Sequence, residues 1–361
     1  MARKIRIAFA LSAVVGTIGF GVVAVGGDLT PPAGPVGSTM KDLDDVEPRG
    51  IIRNNPDGVT PIVISQPGSY KLGENIQGLG FQHGIDITTS GVTLDLNGFE
   101  IVGSEVGSWD GIHVAASAHD ITIRNGRIRL FTGSGINAFS SERCRIERVD
   151  VRNTPAGGII CGNNAFVERC SAQTVTVAFA VGVSVGTRSK VMDCTADGCY
   201  TGFLAQGQSQ VTNCNASGST FAGYYLLGNA RPTGCIATGG SSTQYGIYQD
   251  GIGGGEMADN MISDFLTAGI RATGKWQIHH NTIVGSDFGG DTGLVIEGAR
   301  NFIFENSIDS CSIGMNLNNI CEQEVFANRL SNTGSLAVNS CSSLAPEEQV
   351  HLSTNPHANL R

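Results

Sequence analysis

A glycine followed by an apolar residue returns along the chain at Gly84, Gly111, Gly135, Gly158, Gly182, Gly202, Gly223, Gly246, Gly269, Gly293 and Gly314. From 84 to 314 these eleven positions make ten steps with a mean of 23 residues. Each opens a short alternation such as "GIDI", "GIHV", "GVSV" or "GLVI", in which the first and third residues after the glycine are mostly apolar and the one between varies. A second alternating stretch follows ("VTLDL", "ITIR"), then a third apolar step ("TIV", "SID"). Alternation with a period of two predicts strands that turn one face toward a core. Three short strands and three turns per repeat predict one coil of a parallel β-helix, each strand pairing with its equivalent in the next coil. The expected fold is all-β, a single-stranded right-handed parallel β-helix solenoid. About twelve coils at ~4.8 Å each would extend near ~55 Å.

Eight successive repeats share a frame of apolar-x-x-[Cys or Asn]-x-apolar: "VERCSA", "VMDCTA", "VTNCNA", "PTGCIA", "MADNMI", "IHHNTI", "IFENSI" and "VFANRL". Cys170, Cys194, Cys214 and Cys235 therefore share a column with Asn260, Asn281, Asn306 and Asn328. Such a column predicts a ladder inside the turn between the second and third strands. Asparagine suits it by bonding to backbone and to the next amide and by tolerating left-handed geometry; cysteine suits it as a small, readily buried residue. Four sulfurs spaced at ~4.8 Å per coil are strung over about 14 Å, which excludes a tetrahedral zinc site. The ladder is read as reduced, with bridges between neighbours left open as an alternative. Cys321 and Cys341, at nearly equal places in adjacent coils, are the candidate disulfide pair. A leucine-rich repeat of similar length would need a dense leucine frame, where this chain uses Val, Ile, Ala and Gly.

Fifty glycines, 15% charged and 6% aromatic residues suit a turn-dense β protein, and the formal charge of −9 excludes a nucleic-acid partner. Arg3, Lys4 and Arg6 precede an uncharged apolar run over residues 7–25 and then Gly26 and Gly27. That order predicts a signal peptide over residues 1–26, or an N-terminal membrane anchor if it is retained, and a secreted, periplasmic or cell-surface body. A Pro/Gly/acidic linker is expected over 27–50, an N-terminal cap and first coil over 51–83, the β-helix over 84–345 and a C-terminal cap or tail over 346–361.

The frame, the Gly-Ile-x-Val strand and the phrase "SGVTLDLNGFEIVG" resemble the secreted bacterial right-handed parallel β-helix repeat proteins of the pectin-lyase-like superfamily, over about residues 62–352. In enzymes of that superfamily a polysaccharide lies along the outer face of the first strand. The resemblance therefore implies that a polysaccharide or cell-surface glycan would meet the residue two places after each glycine. That position reads Asp86, His113, Asn137, Ile160, Ser184, Leu204, Tyr225, Tyr248, Arg271, Val295 and Asn316.

Asp86 and His113 occupy adjacent coils, and Trp109 and Asp110 precede His113 in the longest coil, of 27 residues between Gly84 and Gly111. Two carboxylates beside a histidine can move protons, so Asp86, Asp110 and His113 are the candidate catalytic set. Asn137, Tyr225, Tyr248 and Arg271 are the candidate substrate-binding set, the rings for sugar faces and the guanidinium for carboxylates. Asp259, His280 and Glu305, one before the ladder in three coils, form a second polar group suited to metal or acid–base work. Arg124, Arg127, Arg129, Arg143, Arg145, Arg148, Arg152 and Arg169 are interleaved with acids and are read as a self-neutralising ladder of charge, with a local positive patch that attracts acidic glycans as the alternative. No cofactor is expected; Asp287 and Asp291 are two carboxylates in reach of a Ca²⁺ ion, too few to define a site. The superfamily's Gly-His-Gly, Asn-Thr-Asp and Asp-Pro-His motifs are absent. Two functions follow: an extracytoplasmic polysaccharide-binding or structural surface module, and, as the alternative, a divergent polysaccharide lyase, glycoside hydrolase or epimerase acting on an acidic glycan.

Overall fold

The repeating glycines stand where backbone from the next coil leaves no room for a side chain. A Cβ added at Gly182 would lie 2.7 Å from the carbonyl oxygen of Gly202 and 2.8 Å from Cβ of Ala196; at Gly202 it would lie 2.6 Å from the oxygen of Gly223. These glycines have ordinary negative φ, so close approach and not conformational freedom fixes the residue type. The sequence period is thus the imprint of coil-on-coil packing.

The computed structural model describes residues 49–55, 60–78, 80–173, 179–286, 289–320 and 323–340. The leader, nearly all of the linker, the tail, Asp287 and the pair Cys321 and Cys341 lie outside them. Pro48–Arg361 forms one compact unit. Its described residues are strands and turns, and no helix among them is long and apolar enough to cross a membrane. Strands pair in parallel with their equivalents one coil on, from Val63–Ile64 with Ile85–Ile87 to Ile313–Ile320 with Ser335–Ser340. Regular pairing begins before residue 51, since Gly50–Ile52 already pairs with Gly68–Leu72.

Inward residues stack into a continuous core: Ile85, Ile112, Ile136, Ile159 and Val183 are all fully or almost fully buried, and the second strands supply Leu94, Ile123, Ile146 and Val167. At about 25 cal/mol per Å², each such aliphatic side chain contributes roughly 1.5–3 kcal/mol.

The cysteine–asparagine column is continuous and buried. Asn281 donates through Nδ2 to the Met257 carbonyl at 2.9 Å and to Oδ1 of Asn306 at 2.9 Å. Its own Oδ1 accepts from the backbone N–H and the Nδ2 of Asn260 at 3.0 and 2.9 Å. Asn306 and Asn328 repeat the pattern. The thiols reach corresponding carbonyls more weakly: Cys170 to Ile146 at 3.6 Å, Cys194 to Val167 at 3.7 Å and Cys235 to Val211 at 3.3 Å. Cys170, Cys194, Cys214 and Cys235 are unbridged. Burial pushes the Cys235 thiol up to about 11.

The left-handed geometry expected of the column belongs instead to the residue before it. Arg169, Asp193, Asn213, Gly234, Asp259, His280, Glu305 and Ala327 all have φ between 52° and 64°. The kink at that position turns the next side chain inward, where its amide or thiol meets the neighbouring coil.

Asn281→Ala should lower unfolding stability by about 2–4 kcal/mol, because it leaves a buried N–H and a buried carbonyl without partners. Cys194→Ala removes only a small apolar group with weak bonds and should cost about 1–2 kcal/mol. Urea unfolding of both variants checks the ranking, and equal losses would contradict the ladder's energetic order.

Candidate functional site

Direct pairing sets the outward residues of the first strands in one column: Asp86, His113, Asn137, Ile160, Ser184, Leu204, Tyr225, Tyr248, Arg271, Val295 and Asn316 are partners in succession. Two distinct groups form on this face.

At the N-terminal end, His113 Nδ1 lies 2.8 Å from Oδ1 of Asp86. With Asp86 as a carboxylate, Nδ1 carries a proton, and in the neutral ring Nε2 keeps a lone pair, for which the described residues offer no hydrogen-bond partner. His83 stacks on His113 with ring centroids 4.4 Å apart, and the Trp109 ring meets His83 edge-on at 5.0 Å. Asp110 is 7% exposed and gathers the group from beneath. Its backbone N–H donates to His83 Nδ1 at 3.0 Å, while its carboxylate accepts from the Ser134 N–H at 2.7 Å and from Nδ2 of Asn137 at 3.0 Å. The three candidate catalytic residues and Asn137 thus belong to one connected cluster. A depression of about 430 Å³ adjoins it, lined by His113, Asn137, Ser134 and the exposed ring of Phe139.

His83 is the member that sequence reasoning missed. It precedes its glycine in "FQHGI", in an irregular turn with no strand periodicity to mark it. Burial, and then the neighbouring His113, hold it below the ordinary value of 6.5.

Tyr225, five coils beyond His113 and so about 24 Å along the axis, belongs to an aromatic strip. Tyr225 and Tyr248 are 5.4 Å apart. Phe221 lies 5.8 Å from Tyr225, 5.3 Å from Tyr248 and 5.6 Å from Tyr245, and stacks parallel on Tyr200 at 5.4 Å. Phe179, 78% exposed, extends the run at 5.3 Å from Tyr200. Tyr200, Phe221 and Tyr245 escaped the sequence reading because they stand one or two places before their glycines, a position not followed there. Arg271 lies over Tyr248 at 4.9 Å and donates to Glu297 at 2.5 Å, so its charge is already paired. Tyr225 donates to Asp250 at 3.1 Å, and burial and that carboxylate push its hydroxyl up to about 12.

The other candidates resolve into turn chemistry. His280 pairs with Glu305 at 2.7 Å, and both, like Asp259, occupy the left-handed turn position. His279 bonds Glu256 at 2.9 Å and His280 at 2.7 Å. Among the described residues no group of three or more His, Cys, Asp or Glu is arranged to hold a metal ion. Asp291 is buried and accepts from the N–H groups of Ser286 and Ser312 at 2.7 and 2.9 Å. Seven of the eight arginines pair with acids: Arg124 with Asp95, Arg129 with Glu100, Arg143 with Asp120, Arg145 and Arg148 with Glu147, Arg152 with Asp150 and Arg169 with Glu168.

Residues 110–254 match the family described as the right handed beta helix region. The fold of the chain is the right-handed parallel β-helix. Among solved structures it is similar to the AlgE4 A-module, a mannuronan C-5 epimerase of Azotobacter vinelandii, with a TM-score of 0.53 and 14% identity over 76% of this chain and 88% of that one. It is also similar to the Dettilon tailspike protein gp208, with a TM-score of 0.54 and 13% identity over 81% of this chain and 60% of that one. No curated protein matches the sequence at a significant level. At such identities the likeness is one of fold.

His83 also gives the site a pH signature. Its folded value lies below 6.5, so between 6.5 and that lower value the unfolded chain binds the extra proton and stability falls as pH falls. Acidification from about pH 7.5 to about pH 5.5 should therefore lower the urea midpoint more in the wild type than in His83→Gln. Equal losses would contradict the placement of His83.

Proposed function

We propose that this protein is an extracytoplasmic module that binds a polysaccharide along the outer face of its first-strand sheet. The observation that carries the reading is the aromatic strip: six rings in mutual contact, half-buried to exposed, running along a face with few charges. Rings held this way present flat apolar faces at low entropic cost, which is what a sugar ring needs for stacking. The leader-like residues 1–26 support the extracytoplasmic location. A mannuronan-acting enzyme is built on the same fold, which is support by analogy only.

The cluster at Asp86 and His113 favours a second reading, in which the same face carries proton-transfer chemistry. His113 presents a lone pair beside a depression, Asp86 orients the ring, and Asp110 ties the coils together. A chain engaging both His113 and the Tyr225–Tyr248 pair would need to extend at least about 24 Å.

Tyr225→Ala and Tyr248→Ala should each weaken polysaccharide binding about tenfold, the equivalent of about 1.4 kcal/mol, with circular dichroism unchanged. Affinity electrophoresis against a panel of polysaccharides checks this, and unaltered mobility in both variants would overturn the binding reading. Assays for new reducing or unsaturated ends in the same panel test the second reading. It predicts product formation that His113→Ala abolishes, and absence of product from every glycan that binds would remove it.

A further inference from the structure

We infer that the glycan on this face is uncharged, and that Glu297 sets that preference by occupying Arg271. The inference rests on the polysaccharide-binding reading above and adds the substrate class. The outward column from Asn137 to Asn316 holds a single charged residue, Arg271. Its guanidinium is bonded to Glu297 at 2.5 Å and held over the Tyr248 ring at 4.9 Å. Glu297 comes from the next coil, paired in register opposite Thr273, so the strand ladder itself delivers the carboxylate to the arginine.

A second carboxylate, Asp250, stands in the same column as Glu297, two places beyond Tyr248 on its strand. It accepts from Tyr225 at 3.1 Å and from the N–H of Gly251 at 2.8 Å. Around the tyrosines the charges are therefore two carboxylates and one guanidinium. A uronate chain arriving here meets net negative charge, and gains Arg271 only by competing with a carboxylate already bonded to it. A neutral chain meets no such barrier, and the rings and hydroxyls remain available to it. The protein's overall formal charge of −9 acts in the same direction.

The experiment measures binding of a neutral glucan, a neutral mannan and a polyuronate by affinity electrophoresis and calorimetry, at low and at physiological salt. Wild type should bind at least one neutral chain, with affinity nearly independent of salt, and a polyuronate at least about tenfold more weakly. Glu297→Gln frees the guanidinium and should raise polyuronate affinity about tenfold or more at low salt, an increase that salt then suppresses. Its binding of the neutral chain should change by no more than about twofold. Wild-type binding of polyuronate in preference to neutral chains overturns this inference while leaving the binding reading intact. Failure of every chain to bind overturns both. Should Glu297→Gln fold poorly, the wild-type preference alone decides.

Discussion

Parallel pairing in exact register puts every residue directly above its equivalent, about 4.8 Å away, and the rest of the molecule follows from that spacing. At this distance a side chain cannot ignore the one above it. The glycines before the first strands are demanded by carbonyl oxygens of the next coil at 2.3–2.9 Å from where a Cβ would be. The asparagines can satisfy one another only because the next amide arrives at hydrogen-bonding distance each time. A buried polar column that is fully bonded holds register, since a one-residue slip would leave several amides without partners.

The same rule turns an outward position into a row of chemistry. Asp86 meets His113 because they are strand partners, and Tyr225 meets Tyr248 for the same reason. It also consumes charge. Arg129 reaches Glu100 and Arg271 reaches Glu297 across one coil step, so the positive residues of this acidic chain are largely spent on neighbours. Half-buried pairs of this kind leave few cations free to meet an anionic ligand.

Much of this was legible in the sequence because a solenoid repeats its instructions. The period of Gly84 to Gly314, the handover from Cys235 to Asn260 and the column from Asp86 to Asn316 could all be read by aligning coils. What could not be read depended on positions where the repeat is irregular or the direction of a side chain is set by one dihedral angle. His83 joins the cluster from a turn. Tyr200, Phe221 and Tyr245 drift between one and two places before their glycines, so their stacking emerges only in three dimensions. The left-handed residue was assigned to the column itself, whereas asparagine's known tolerance of that geometry is used here only once beside it, at Asn213; Asp259, His280 and Glu305 adopt it without being asparagine. Arg271 was legible as a cation, but its pairing with Glu297, in the next coil and two places beyond the outward column, was not.

The central claim is that a polysaccharide lies on the tyrosine-bearing face, and covalent labelling of tyrosines with mass-spectrometric readout tests it most directly. In the presence of a bound neutral polysaccharide, Tyr225, Tyr245 and Tyr248 should be protected while Tyr70, far along the chain and bonded to the Gln66 carbonyl, labels as before. Unchanged labelling of those three tyrosines under conditions where the glycan is bound would place the ligand elsewhere and contradict the account.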